Sequence, residues 1–592
     1  MNARPNEPDI TPLPPAARRP RMSTADLLTH GPLIGAVTDS TANFWARARN
    51  DCTLDIVAAA DPAHLPYSPT HRGTTNLIMS EDGTGTVQLS GLQADTRYHY
   101  AVLINQQPVV PARGAAFPTF RTFPVPGSRV DNFSFAFGSC FIPWEYDDKV
   151  FDGLTRHADE LDLRLFLMIG DNVYVDEYFH KVRSKLEHAA PVGDLLSIYR
   201  EAYRYTWQWP NFRHFTANTP SYMIFDDHEF WDNWGNVPSE RTAADVFQAA
   251  CRAYTEYQDN HNPGYAERMA GVEPQYWYSF EYGDVGFFVL DCRTLRNPNA
   301  VPFPTLLSNN QRAALFDWLE ANNTRYPAKF VVSSVPLTYM AIPEWMVRLH
   351  HISMGDQWPG YRDERGELFR FIQQKNITGV HVLSGDVHIG QSVKFEPNTS
   401  GPPVYSYTAS PLAQTYEILP RETPAAINAL AGAFVGAILG TFFGWWIAFL
   451  ETAPLPGLLR VLAIVIQGVT NMLMGAFLGA VLGESVRRLL ARLLRRGKER
   501  PLGAALISRL LYRPFQALSY LYFQSNVRRV SGDQITYHGR ALYYLSNLIP
   551  PIWQINVGIV RVQRTLQGGV QVWIEYRDEH GDVIVTEKPH AV

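Results

Sequence analysis

The feature that most constrains this chain is a series of short runs that are apolar throughout, most of them ending in a polar cluster. PheSerPheAlaPhe (133–137) runs into GlySerCys, LeuPheLeuMetIle (165–169) into GlyAspAsn, and TyrMetIlePhe (222–225) into AspAspHisGlu. GlyPhePheValLeu (286–290) precedes AspCysArg, PheValValSerSer (330–334) follows, and GlyValHisValLeu (379–383) leads into SerGlyAspValHis. A strand without a polar side is buried on both faces, as in a sheet covered by helices. Folds of that kind bind ligands outside the carboxyl ends of their strands. The polar clusters are therefore expected to meet on one rim. Aromatics and leucines at helical spacing predict intervening helices at 193–205, 241–260 and 310–321.

With 592 residues the chain exceeds one ordinary domain. Residues 1–30 read as a Pro-rich, disordered arm. Arg18, Arg19 and Arg21 lack the apolar stretch an export signal needs, because Ser23, Thr24, Asp26, Thr29 and His30 interrupt it. From 31 to 125, short alternating runs such as ThrAlaAsnPheTrpAlaArgAla (41–48), 54–59 and 97–103 predict a small antiparallel β-sandwich. ProValProGlySer (124–128) reads as a linker into a core over 130–423.

The span 424–500 has a different texture. No charged residue stands between Glu422 and Glu451, or between Arg460 and Glu484, leaving apolar runs of about 28 and 23 residues. Each is long enough to cross a bilayer core. Gly432, Gly436, Gly440 and Gly444, then Gly475, Gly479 and Gly483, line one helix face in each run. That spacing suits close helix contact within a hairpin or between copies in a homo-oligomer. The expectation is a transmembrane helical hairpin with membrane lipid as a partner; a buried soluble hairpin is the alternative. The basic cluster Arg487, Arg488, Arg492, Arg495, Arg496, Lys498 and Arg500 orients it, with the catalytic domain on the cytoplasmic side. Residues 501–592 are expected to return to the core and complete it with strands.

A net charge of −5 argues against a general nucleic-acid binder, and four scattered cysteines give neither a disulfide framework nor a zinc ribbon. The chemistry then rests on the polar clusters. Asp171, Asp226, Asp227, Asp386 and His388 all follow apolar runs, and carboxylates and imidazoles from different strand ends are what a two-metal site requires.

The motifs PheGlySerCys (137–140), GlyAspAsnValTyr (170–174), AspAspHisGluPheTrpAspAsn (226–233), LeuAspCysArgThrLeuArg (290–296), AspGlnTrpProGlyTyr (356–361) and SerGlyAspValHis (384–388) occur in this order. In them the sequence resembles the alkaline phosphatase D-like branch of the calcineurin-like metallophosphoesterase superfamily. The resemblance implies an α/β fold, an α+β sandwich core with a leading β-sandwich, and an enzyme that hydrolyses phosphomonoesters or phosphodiesters with a metal-activated hydroxide. It implies Fe(3+) and Ca(2+), other divalent ions being open, and that cofactor pair agrees with a lone thiolate and phenolate beside carboxylates. The implied metal residues are Cys140, Asp171 as the bridging carboxylate, Tyr174, Asp227, Asp386 and His388. His228 becomes the candidate general acid or phosphate contact. Asn233, Arg293 and Asp356 read as rim or loop residues. The competing reading is a catalytically inactive membrane scaffold on the same fold.

Overall fold

The computed structural model describes residues 24–111, 114–178, 192–235, 244–271, 274–338, 356–414 and 534–591. The hairpin of 424–484, the basic cluster of 487–500 and most of the N-terminal arm lie outside the described residues. Among the described residues, no helix is long and apolar enough to cross a membrane.

Two small antiparallel sheets open the chain. Leu28–Val37, Thr41–Ala48 and Thr84–Ser90 form one; His71–Leu77, Cys52–Ala59, Arg97–Ile104 and Gln107–Val110 form the other, with Thr119–Arg121 on Arg97–Ile104. They face each other as a sandwich over apolar side chains from both sheets. Phe44 of the first sheet meets Tyr100 and Phe120 of the second at ring separations of 4.8 and 5.3 Å.

The expected linker is not a free tether. Gly127 N donates to Gly283 O at 2.8 Å, and Phe123 is buried against the Tyr282 ring at 4.9 Å. One apolar core runs from the sandwich into the rest of the molecule. Trp45 Nε1 donates to Glu256 O at 2.8 Å, and Tyr222 OH both donates to Val37 O (3.0 Å) and accepts from Val37 N (3.1 Å).

The larger part has two mixed sheets packed face to face. In the first, Ser221–Ile224, Leu163–Ile169 and Asn132–Gly138 run parallel, and Val557–Arg564 pairs antiparallel with Asn132–Gly138, followed by Val570–Arg577 and Val583–Thr586. In the second, Val285–Val289, Ala328–Val332, Val380–Ser384 and Val404–Thr408 are parallel. Tyr278–Tyr282 flanks them at one edge; Gln391–Pro397, Arg540–Asn547 and Gln534–Tyr537 extend the other.

Phenylalanines fill the space between the sheets. Phe135 lies 5.2 Å from Phe287 and 4.9 Å from Phe330. Outside the second sheet, Asn309–Ala321 and Arg362–Gln374 pack on a core of their own. Helices Lys149–Leu161, Val192–Trp207 and Ala244–Tyr257 contribute buried residues to the main core. Each continuous apolar run thus has a sheet on one face and helices on the other, in keeping with the α+β sandwich core that the resemblance implied. The architecture is an α/β sandwich of two sheets.

Candidate metal centre

The rim forms by a repeated local rule: two residues beyond a strand, the backbone turns and presents a polar side chain. Cys140 follows Asn132–Gly138, Asp171 follows Leu163–Ile169, Asp226 follows Ser221–Ile224, and Ser334 follows Ala328–Val332. Asp386 follows Val380–Ser384, and Ser410 follows Val404–Thr408. Cys140 (φ 64°), Asp171 (φ 53°), Asp386 (φ 68°) and His388 (φ 53°) all adopt the left-handed region. Such conformations cost about 1–3 kcal/mol each and persist where surrounding structure over-determines them, which is characteristic of active sites and ligand clamps.

Two of the anticipated donors meet one carboxylate oxygen, and a third joins them through the phenol. Cys140 Sγ and Tyr174 OH each lie 3.3 Å from Asp171 Oδ2, and His388 Nε2 is 3.1 Å from Tyr174 OH. Cys140 and Tyr174 are fully buried. Ser139 Oγ and Ser410 Oγ each sit 3.2 Å from the sulfur. Asp171, Asp226, Asp227 and Asp386 form a second grouping whose carboxylate oxygens lie within 4.8 Å of one another, and Asp171, Asp227 and His228 a third on the same criterion. Gln357 Nε2 donates to Asp386 Oδ2 at 2.7 Å.

The electrostatics of the cluster are unbalanced. Burial holds the Asp171 carboxyl well above the usual range; His228 opposes that shift, while Asp227, Asp226 and Glu229 reinforce it. Burial, then Asp226, Asp356 and Asp227, does the same to Asp386 against the pull of Arg293. Burial and the charge of Asp171 push the Cys140 thiol up as well. Asp227 Oδ1 is buried without a hydrogen bond. A thiol, a phenol, an imidazole and several carboxylates, strained into contact and short of positive charge, fit bound cations.

His228 stands beside this cluster. Its Nδ1 meets both Asp176 oxygens at 2.9 and 3.0 Å, its ring centroid lies 4.1 Å from that of Tyr174, and its backbone N donates to Asp171 Oδ1 at 3.3 Å. Burial lowers its pKa, yet Asp176, Asp227 and Asp171 outweigh burial and leave the imidazole well above its ordinary value.

Arg293 is buried and ion-pairs with the same carboxylate grouping through Asp226 and Asp227. It grips both oxygens of Asp226 and donates to Asp356 Oδ1 at 2.7 Å, which Arg296 also reaches at 2.7 Å. Its Nη2 is 3.5 Å from Asp227 Oδ1, and Asn233 N donates to Asp227 Oδ2. These contacts suit the rim role expected of Arg293, Asp356 and Asn233.

Sequence reasoning missed Asp176, Gln357, Ser410 and Glu229. Glu229 directly follows His228, so its motif was in view, but its hydrogen bonds join segments far apart in sequence. Burial pushes its pKa up to about 7, with backbone and Gln258 donors opposing the shift.

Residues 135–418 match the PhoD-like phosphatase family, and residues 25–122 match a family described only as a domain of unknown function. The chain is 27% identical over 305 residues to alkaline phosphatase D of Bacillus subtilis (strain 168), a match covering 47% of this chain and 50% of the relative. The chain thus spans about half the length of that curated relative. A solved structure of PhoD overlays with a TM-score of 0.52 at 21% identity, covering 66% of this chain and 78% of the other, which speaks to fold. With the six ordered motifs and the two-sheet core already in place, the region 135–418 is similar to the PhoD-like phosphatase family.

Proposed function

We propose that this chain hydrolyses phosphomonoesters, phosphodiesters or both, with cations held by Cys140, Asp171, Tyr174, Asp227, Asp386 and His388. The observation that carries the reading is the approach of Cys140 Sγ and Tyr174 OH to the same oxygen of Asp171, each at 3.3 Å. A soft thiolate and a phenolate beside one carboxylate suit ferric iron, and the neighbouring carboxylates suit calcium or another hard divalent ion. Bound there, such ions supply a hydroxide near neutral pH and neutralise charge on the phosphoryl oxygens.

The protein's own groups do the rest. Asp171 is the shared carboxylate on which the donor set closes. Asp176 occupies His228 Nδ1, so Nε2 is the nitrogen left to meet the phosphate or protonate the leaving oxygen. Arg293 offsets part of the negative charge through Asp226 and Asp227, allowing these carboxylates to crowd together.

The test is metal analysis with assays on nitrophenyl mono- and diesters, using the full chain and its Asp171→Asn and Cys140→Ser variants. The native protein is expected to carry iron or calcium and turn over, with both variants losing metal and rate. A metal-free chain that stays inert after iron and calcium are supplied would favour the scaffold reading.

We also propose that the hairpin at 424–484 anchors the enzyme in a membrane with the catalytic rim on the cytoplasmic side, and that its glycine-lined faces pair between copies. Support comes from the two uncharged runs and the basic cluster after them. Flotation with vesicles of the full chain, compared with a chain lacking 424–484, decides it: equal flotation of the two overturns the anchor.

A further inference from the structure

Two loops bring the carboxylates of the centre together, one carrying Asp171 and the other Asp226 and Asp227. They touch directly, since a Cβ on Gly170, at φ +103°, would lie 2.5 Å from Asp226 Cβ. Glu229 bridges them. Its Oε2 accepts from Asp171 N (3.1 Å) and Asp226 N (2.9 Å); its Oε1 accepts from Asn172 N (2.7 Å) and Gln258 Nε2 (3.1 Å). The side chain is buried. Gln258 is fixed in turn, donating to Tyr203 OH at 3.0 Å and accepting from Asn172 Nδ2 at 2.8 Å.

We propose that Glu229 is the positioning residue of the metal centre, one carboxylate that ties the two ligand loops together and so sets cation affinity. This rests on the phosphoesterase reading for its purpose, but on the hydrogen bonds for its substance. Only an ionised carboxylate can accept four hydrogen bonds, two at each oxygen. A glutamine of the same shape has one carbonyl oxygen and turns its NH₂ toward two N–H donors. Whichever way it lies, it abandons one pair, either Asp171 N with Asp226 N or Asn172 N with Gln258 Nε2. Asp171, in the left-handed region at φ 53°, is the ligand with most to lose. Glu229 itself is not a member of the ligand groupings around Asp171.

A comparison variant separates positioning from ordinary packing. Glu364 is equally buried and accepts from Leu306 N and Leu307 N, but it belongs to the helix Arg362–Gln374 on the outer side of the second sheet.

The experiment uses the full chain stripped of metal and titrated with iron or calcium alone, together with hydrogen exchange of the metal-free protein. Glu229→Gln is expected to weaken cation binding about 10–100-fold, the usual cost of losing a group that orients a ligand. It is also expected to speed exchange in peptides holding the amides of Asp171, Asn172 and Asp226. Glu364→Gln is expected to lower the melting temperature while leaving both readouts unchanged. Equal cation affinity and unchanged exchange in Glu229→Gln overturn the proposal, as does an equal loss of affinity in Glu364→Gln.

If the native chain takes up no cation, the phosphoesterase reading fails, and the exchange data still decide the positioning role. Should Glu229→Gln not fold, Gln258→Met, which removes one donor and leaves the carboxylate, takes its place with a several-fold effect in the same direction.

Discussion

One buried polar network at the strand ends has two sides that share Asp226 and Asp227, and the sides are neutralised differently. Around Arg293, the carboxylates of Asp226 and Asp356 meet guanidinium groups at hydrogen-bond distance, and Arg296 adds a second cation. Around Asp171, the neighbours are a thiol, a phenol and the carboxylates of Asp227 and Asp386, with His228 the nearby group of opposite sign. One side carries its counter-charge in the chain; the other is short of it. Burying charge without a partner is costly, so the second arrangement calls for a proton on its carboxyls or a cation among them.

The largest effects should follow from breaking the unbalanced side. Asp171→Asn removes the oxygen shared by Cys140 and Tyr174, and its loss of cation affinity and hydrolysis should exceed the roughly 10–100-fold typical of residues that merely orient ligands. Metal analysis after dialysis checks the first, and nitrophenyl ester hydrolysis the second. Retained metal in this variant would move the centre elsewhere among the carboxylates.

Arg293→Met tests the balanced side. It leaves Asp226 and Asp356 buried beside Asp227, and breaking a buried ion pair on one side costs about 3–5 kcal/mol. Denaturant titration should show that loss in the metal-free protein. A loss below about 1 kcal/mol, the scale of a surface pair, would mean that water reaches the cluster and that the two regions differ less than their geometry suggests.

Stripping metal from the native chain should act on the unbalanced side alone. A cation held at 100 times its dissociation constant stabilises the folded state by about 2.7 kcal/mol. Chelation should therefore lower the melting temperature of the native chain and of Arg293→Met, and leave Asp171→Asn unmoved. A chelation shift that persists in Asp171→Asn would show that stabilising cations bind away from Asp171.

The rim was legible in the sequence because one local pattern repeats there: an apolar run, then a polar residue two positions past the strand. Cys140, Asp171 and Asp386 are all of this kind, and they do come together. What faces the apolar runs was not legible. Phe135 and Phe287 read the same whether their partner is a helix or another sheet, so the sandwich came from the motif resemblance and not from the apolar pattern itself. The segment 124–128 has a linker's composition, yet tertiary contacts pin it through Gly127 and Phe123. Glu229 and Asp176 were out of reach for a related reason. Their work is hydrogen bonding between segments some fifty residues apart, Glu229 to Asp171 and Asp176 to His228, and spacing within one motif does not encode it.

His381 supplies the smallest and most specific test, because it is a titratable group that neither side compensates. It sits inside the apolar run 379–383, fully buried, with neither ring nitrogen hydrogen-bonded, between Phe330 at 5.2 Å and Tyr405 at 5.3 Å. Burial, then the charges of His590 and Lys329, lowers its pKa from 6.5 to about 3. The folded pKa is depressed, so stability is complete above the unfolded value of 6.5 and declines as pH falls through the window from 6.5 to about 3. Between pH 7 and pH 5 this one ring should cost about 2 kcal/mol. His261, lowered to about 3, and His30, lowered to about 4, add to the same slope. Replacing His381 by Phe keeps the ring stack and removes the proton site, so the variant should lose about 2 kcal/mol less than the native chain on going from pH 7 to pH 5. If the two profiles coincide, His381 binds protons equally well folded and unfolded. Water must then reach a nitrogen in the inter-sheet space, and the contrast between a compensated polar network and a dry apolar interior would fail at that point.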